Sequence, residues 1–432
     1  MKTESFNKGL LQFLQQSPTP FHAVSSLSAL LEQAGFHRLD ETDAWMLKKN
    51  SSYYVVRNSS AIIAFKTGEA DIVDTGLRIT GAHTDSPCLK IKPRPEISKH
   101  NYLQLGVEVY GGVLLHTWFD RDLSFAGRVD FENEDGSLDS VLIDLKEPVA
   151  FIPSLAIHLD QTANDGRTID KQKELPPILL QFGKGEKFDF DQFLLNHLLE
   201  VAGKKSALRV LSHELVLYDT QAPALLGLEK QFIASARLDN LLSCYLCLNA
   251  LIDSENDFAS VLVCNDHEEV GSVSTSGAAG PFLKSVLERM LAAEQASNED
   301  FGRAMLQSVM LSVDNAHGSH PNFSDKHDDK HSPLLNAGPV IKINANQRYA
   351  SNSQSIALFK SLCNKLNISH QSFAMRSDMA CGSTIGPITA AALGVNTVDV
   401  GVASFAMHSI REYAGVEDAR SLAKVVSAFY SR

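Results

Sequence analysis

The run Ser260-Val261-Leu262-Val263-Cys264 is apolar and β-branched, and it leads into Asp266-His267-Glu268-Glu269-Val270-Gly271. A chain that ends a buried strand on two adjacent carboxylates needs a fold that can accept charge there. Consecutive side chains leave an extended backbone in different directions. One carboxylate can therefore bind a cation while the other faces a water molecule that the cation polarises. Metal-assisted hydrolysis requires this division between a Lewis-acidic ion and a base. A Glu-Glu pair by itself is most often solvated surface charge, so its weight comes from its surroundings.

Several other strand-like runs end in the same chemistry. Leu77-Arg78-Ile79-Thr80-Gly81-Ala82 leads into His83-Thr84-Asp85-Ser86-Pro87, an imidazole followed two residues later by a carboxylate able to orient it. Ala236-Arg237-Leu238-Asp239-Asn240 precedes an apolar segment with helical spacing. Met310-Leu311-Ser312-Val313 leads into Asp314-Asn315-Ala316-His317, and Val398-Asp399-Val400-Gly401-Val402 precedes Met407-His408-Ser409. An open α/β sheet offers such residues at its carboxyl edge, where ligands bind. A mixed His/carboxylate set suits zinc, with manganese or cobalt as substitutes.

A chain of 432 residues exceeds one ordinary domain, and 44% hydrophobic content suits a large core. The net charge of −12, with no basic tract, argues against nucleic acid as a partner. No apolar run approaches the roughly 20 residues of a membrane span, and Met1 to Phe13 lacks the apolar centre of a signal peptide. The expectation is a soluble, cytoplasmic protein. Cys244 and Cys247 form a lone C-x-x-C in an apolar helical pattern, expected to be buried reduced thiols; a zinc knuckle would need a second pair. Cys88 and Cys381 fall near candidate site segments without being expected ligands.

Apolar spacing predicts two helices between Ser5 and Leu39, and strands between Tyr53 and Thr80. After Lys92-Pro93-Arg94-Pro95 the texture changes. Short alternating runs dominate from about Leu103 to Leu217, for example Leu105-Gly106-Val107-Glu108-Val109-Tyr110 and Gly127-Arg128-Val129-Asp130-Phe131. A mostly β module is therefore expected over 94–235. It interrupts an α/β domain made of 1–93 and 236–432.

Six stretches in order resemble the M18 aminopeptidases of the aspartyl aminopeptidase type, within the di-zinc exopeptidase clan. They are Gly81 to Pro87, Ser235 to Asn240, His267 to Ser272, Gln347-Arg348-Tyr349-Ala350, Gly382 to Pro387 and Ala406 to Glu412. The resemblance implies a mixed-sheet catalytic domain, an inserted dimerisation domain, and dimers assembling into a dodecamer. It implies two zinc ions: His83, Asp239 and Asp314 on one; Asp239, Glu269 and His408 on the other, with Asp239 bridging. Glu268 would be the base and Asp85 would orient His83. The implied activity is removal of single N-terminal residues, Asp or Glu, from peptides. A related carboxypeptidase, an N-acyl amino acid deacylase, and an inactive shell-forming protein are the competing readings.

Other residues carry weaker signals. His158 closes the apolar run Leu155-Ala156-Ile157 of the insert and reads as a core or interface histidine; the family resemblance implies instead a metal ligand or a group reaching a neighbouring subunit's substrate. His317 and His320 either line a substrate pocket or are solvated. Asp325 to His331 reads as an exposed loop. Gly382 to Pro387 reads as a turn into a helix whose N–H groups suit a carboxylate or carbonyl oxygen. Acid-specific relatives carry Lys just before Gln-Arg-Tyr. Here Asn346 stands before Gln347-Arg348, leaving Arg348 as a candidate cation and implying weaker discrimination.

Overall fold

The computed structural model describes residues 3–183, 186–255 and 257–432. Met1 and Lys2 of the first expected segment, and Lys184 and Gly185 of the insert, lie outside the described residues. The chain forms two compact units: residues 1–86, 223–407 and 411–432, and residues 87–222 with 408–410.

The first unit is built on a nine-stranded mixed sheet. Four adjacent strands at its centre, Ser260–Asn265, Arg78–His83, Val309–Val313 and Asn396–Gly401, run parallel. Their sequences are near-continuous apolar runs, as expected of parallel strands covered on both faces. Every residue of Ser260–Asn265 is buried. On one face pack the helices Thr3–Gln15, Pro20–Gln33, Leu238–Asp253 and Asp418–Tyr430, and on the other Phe282–Ala293. The helix Pro20–Gln33 begins where Thr19 accepts a hydrogen bond from His22 N–H, with Pro20 supplying the fixed φ of a first turn. A smaller five-stranded sheet joins Ala224–Leu226, Phe232–Ser235, Glu412–Gly415, Ala403–Phe405 and Ala316–His317. Cys244 and Cys247 are buried free thiols on Leu238–Asp253.

The second unit is a six-stranded antiparallel sheet, ordered Leu138–Asp144, Leu123–Asn133, Ala207–Asp219, Cys88–Lys99, Tyr102–Tyr110 and Ile178–Gln181. The helix Phe190–Glu200 places Phe190, Leu194 and Leu198 in its core with Phe125 and Phe131.

The units divide at 86/87 and 222/223, not at the 93/94 and 235/236 expected from texture. Pro93 and Pro95 read as a break, but both lie inside the strand Cys88–Lys99, where the pairing register shifts between Ile91 and Glu96. Proline is tolerated at such irregularities because no ladder donor is required there. At the other boundary, Ala224–Leu226 and Phe232–Ser235 pair within the five-stranded sheet of the first unit.

Candidate metal centre

The parallel register sets the site. Asn265 lies opposite His83, and Ser312 opposite Gly81, so the carboxyl ends of three neighbouring strands converge. Beyond Asn265 the chain turns through Asp266 and a left-handed His267 into the short 3-10 turn Glu268–Val270. Beyond Val313 comes Asp314. Asp239 enters from the non-helical start of Leu238–Asp253.

His83 is 1% exposed. Its Nδ1 lies 3.0 Å from the Asp85 carbonyl oxygen, an acceptor for a proton on that nitrogen, so Nε2 is the nitrogen turned to the carboxylates. Nε2 lies 3.4 Å from Asp239 Oδ1 and 4.0 Å from Asp314 Oδ1. Ligand atoms of His83, Asp239 and Asp314 all lie within 4.8 Å of one another, as do those of His83, Glu268 and Glu269. This is a nitrogen–oxygen donor set of the kind that binds zinc.

Asp85 does more than face the imidazole. Its carboxylate oxygens, buried like the ring, accept the backbone N–H groups of Glu268 and Glu269, both at 3.1 Å. One side chain thus sets the height of the Glu pair against His83.

The electrostatics show what the centre lacks when metal-free. Burial pushes Asp314 up to about 6, Lys342 opposing and Asp239 reinforcing the shift. Burial pushes Glu268 up to about 8; His83 opposes this, and Asp314, Glu269 and Asp239 add to it. Burial would lower His83, but contacts with Asp239 and Asp85 outweigh it and hold the ring well above its usual value. Carboxylates gathered out of water repel one another unless a cation neutralises them. The residues present therefore fit divalent metal.

The other expected residues come from other segments of the chain. His408 groups with the second unit, its Nδ1 3.1 Å from Gly112 O. His158 is exposed in that unit. Asn346 and Arg348 are exposed on a turn whose N–H groups point to Asn344 Oδ1. Gly382 is exposed ahead of the helix Ile385–Leu393. His317 packs edge-on to Phe373 at 5.6 Å and lines a cavity of 370 Å³ with His320, Phe405 and Met407.

A cation that the sequence reading missed lies four residues before Asn346. Lys342 is 2% exposed, with Nζ 3.5 Å from Asp314 Oδ2 and 3.1 Å from the Asn315 carbonyl. The pattern of Val340–Ile343 gives no sign of it, since one lysine in a short strand normally marks a solvated face. Asp399 is also buried. It accepts Ala350 N–H and the Thr384 hydroxyl, both at 2.6 Å, and so ties the Gln347–Ala350 segment to the start of Ile385–Leu393. A side chain at Gly386 would put its Cβ 2.5 Å from Asp399 Oδ2.

Residues 13–430 match the family model described as aminopeptidase I zinc metalloprotease (M18). The probable M18 family aminopeptidase 2 of Ectopseudomonas mendocina is 56% identical over 428 residues, covering 99% of this chain and 98% of that protein. Its counterpart in Pseudomonas aeruginosa is 55% identical, covering 98% of each. Among solved structures, the Ape4 and Nbr1 complex aligns with a TM-score of 0.94 at 37% identity, covering 99% of this chain and 86% of that one. The S. cerevisiae mApe1 dodecamer aligns with a TM-score of 0.85 at 28% identity, covering 99% and 96%. With a His/carboxylate cluster that fits a metal ion at the carboxyl edge of a parallel sheet, and relatives matched along almost the whole chain, the chain belongs to the M18 family of zinc aminopeptidases and is a peptide hydrolase.

Proposed function

We propose that the enzyme removes single N-terminal residues from peptides with two divalent ions bound, accepting Asp and Glu without strict selectivity. The convergence of His83, Asp239 and Asp314 around one point, with Glu268 and Glu269 beside it, carries this reading. His83, Asp239 and Asp314 hold one zinc; Asp239, Glu269 and His408 hold the other. Manganese or cobalt are possible substitutes. When bound, the ions supply Lewis-acid polarisation of the scissile carbonyl and of the attacking water. Glu268 accepts that water's proton and returns it to the leaving amine. Asp85 keeps the Glu pair in place and orients His83.

Acidic selectivity rests on a fixed cation. Exposed Arg348 is the candidate cation, since buried Lys342 is already paired with Asp314 Oδ2 and the Asn315 carbonyl. Asn346 offers only a neutral amide, in keeping with loose discrimination. Gly382 and His317 are assigned to substrate contact.

A dodecamer is proposed by analogy with the S. cerevisiae mApe1 dodecamer, with the second unit as the dimerisation module. Its exposed Phe151, Leu155, Ile157 and Leu159 suit burial against another copy. His158, within that run, is assigned to a neighbouring subunit's substrate rather than to metal. Among the described residues no helix is long and apolar enough to cross a membrane, and a cytoplasmic location is proposed.

Chelation should abolish hydrolysis, and zinc, manganese or cobalt should restore it. Zinc uptake should weaken on acidification, because protons held by Asp314 up to about 6 compete with the ion. Full activity after verified metal removal would sink the reading. Cleavage of N-acetylated in place of free-amine substrates would favour a deacylase.

A further inference from the structure

Asp239 is held by its backbone as well as its side chain. Its N–H donates to Glu412 Oε2 at 2.8 Å, and its carbonyl oxygen accepts from Ser86 Oγ at 2.7 Å. Glu412 is 1% exposed and Ser86 8%. They come from opposite ends of the unit's sequence. Ser86 lies three residues after His83. Glu412 opens the strand Glu412–Gly415 and sits opposite Ser235.

The segment between needs such support. Arg237 is left-handed at φ 60, and its guanidinium donates to Ser17 O at 3.0 Å and Leu14 O at 3.3 Å. Asp239 and Asn240 lie outside helical geometry although they sit at the start of Leu238–Asp253. The opening N–H groups of a helix have no partner within it, so the direction of the Asp239 side chain depends on what holds its peptide groups. Asn240 adds a third tether, donating from Nδ2 to Val313 O at 2.9 Å, one residue before Asp314.

We propose that Glu412 and Ser86 are positioning residues that clamp the Asp239 backbone and so aim its carboxylate at the metal centre. This rests on the metal-centre reading above. Neither residue is proposed to touch substrate or metal. The clamp links the residue proposed to bridge two ions to the loop that follows His83 and to the smaller sheet.

The test compares E412Q, E412A and S86A with wild type in metal-stripped full-length protein. Zinc affinity is measured by competition with a chromophoric chelator, and thermal unfolding is followed without metal. E412Q keeps an acceptor oxygen and should bind zinc close to wild type. E412A should bind about 10–100-fold more weakly, the effect typical of losing a group that supports a ligand. S86A should weaken binding in the same direction, with little change in metal-free unfolding. If E412A does not fold, S86A decides, since it removes a single hydroxyl. Wild-type zinc affinity in folded E412A, or in S86A where E412A does not fold, overturns the clamp. Equal loss in folded E412Q and E412A also overturns it, because the effect would then follow charge and not the hydrogen bond. A wild-type chain that takes up no zinc overturns the metal-centre reading itself, whatever the variants do.

Discussion

The two units handle charge in opposite ways. In the first, many ionisable side chains are buried: His83, Asp85, Asp239, Asp314, Lys342, Asp399 and Glu412 are each at most 7% exposed. In the second, Asp219 is the only charged residue buried to that degree among those described. Its charges instead pair near the surface, as in Lys90–Glu214–Arg128 and Arg209–Glu132, over an apolar core of Leu, Ile, Val and Phe. Burying charge is costly unless each group is paired or binds an ion. The first unit carries that cost because chemistry needs it. The second carries almost none of it.

The contrast can be broken most sharply at Glu268. Glu268→Gln removes a half-buried charge and should lower kcat by about 10²–10⁴, while zinc content stays at the wild-type value and the melting temperature does not fall. Loss of zinc in this variant, with Glu269→Gln retaining it, would exchange the roles of the two carboxylates. A structural comparison comes next. Asp399→Ala strands the Ala350 N–H and the Thr384 hydroxyl and should cost about 3 kcal/mol or more in chemical denaturation, since buried donors lose a charged acceptor. A cost below 1 kcal/mol would show that buried charge in the first unit is less critical than its burial suggests.

Selectivity gives a smaller effect. Arg348→Met should lower kcat/KM for Asp and Glu reporters about 10-fold relative to a Leu reporter, the scale of one charge-assisted hydrogen bond. Asn346→Lys should raise the same ratio. An unchanged ratio in both variants would take the acid-binding charge away from the exposed turn. The smallest effect is expected in the second unit. Arg209→Ala breaks a surface pair with Glu132 and should change stability by no more than about 1 kcal/mol. A larger loss would mean that surface pairing in the second unit matters as much as buried charge in the first.

The proposed ligands were legible because most follow an apolar strand run and Asp239 opens an apolar helix, local signals in periodicity and composition. Chain order placed His83, Asp239, Glu269 and Asp314 in recognisable stretches, and the structure brings them to one sheet edge. What could not be read depends on tertiary contact. Lys342 sits in Val340–Ile343, where nothing marks it as buried. Nothing near Asp85 indicates that its oxygens meet the backbone of residues 268 and 269. The unit boundary was misplaced because Pro93 and Pro95 look the same in sequence whether they end a strand or sit at a register shift inside one.

The sheet order also bears on how the protein is made. The strands that carry His83, Asn265 and Val313 are neighbours in space, yet the ribosome releases them in the order Arg78–His83, Ser260–Asn265, Val309–Val313. The strand bearing His83 lies between the other two, so it emerges first and waits for partners on both sides. One edge waits for the strand ending at Asn265 and the other for the strand ending at Val313, and pairing between distant segments is slow. A nascent chain therefore holds an imidazole early but cannot assemble His83, Asp239 and Asp314 until Asp314 has emerged. Metal loading belongs to the end of synthesis, and any fragment that stops before Asp314 should leave the tunnel without a metal centre.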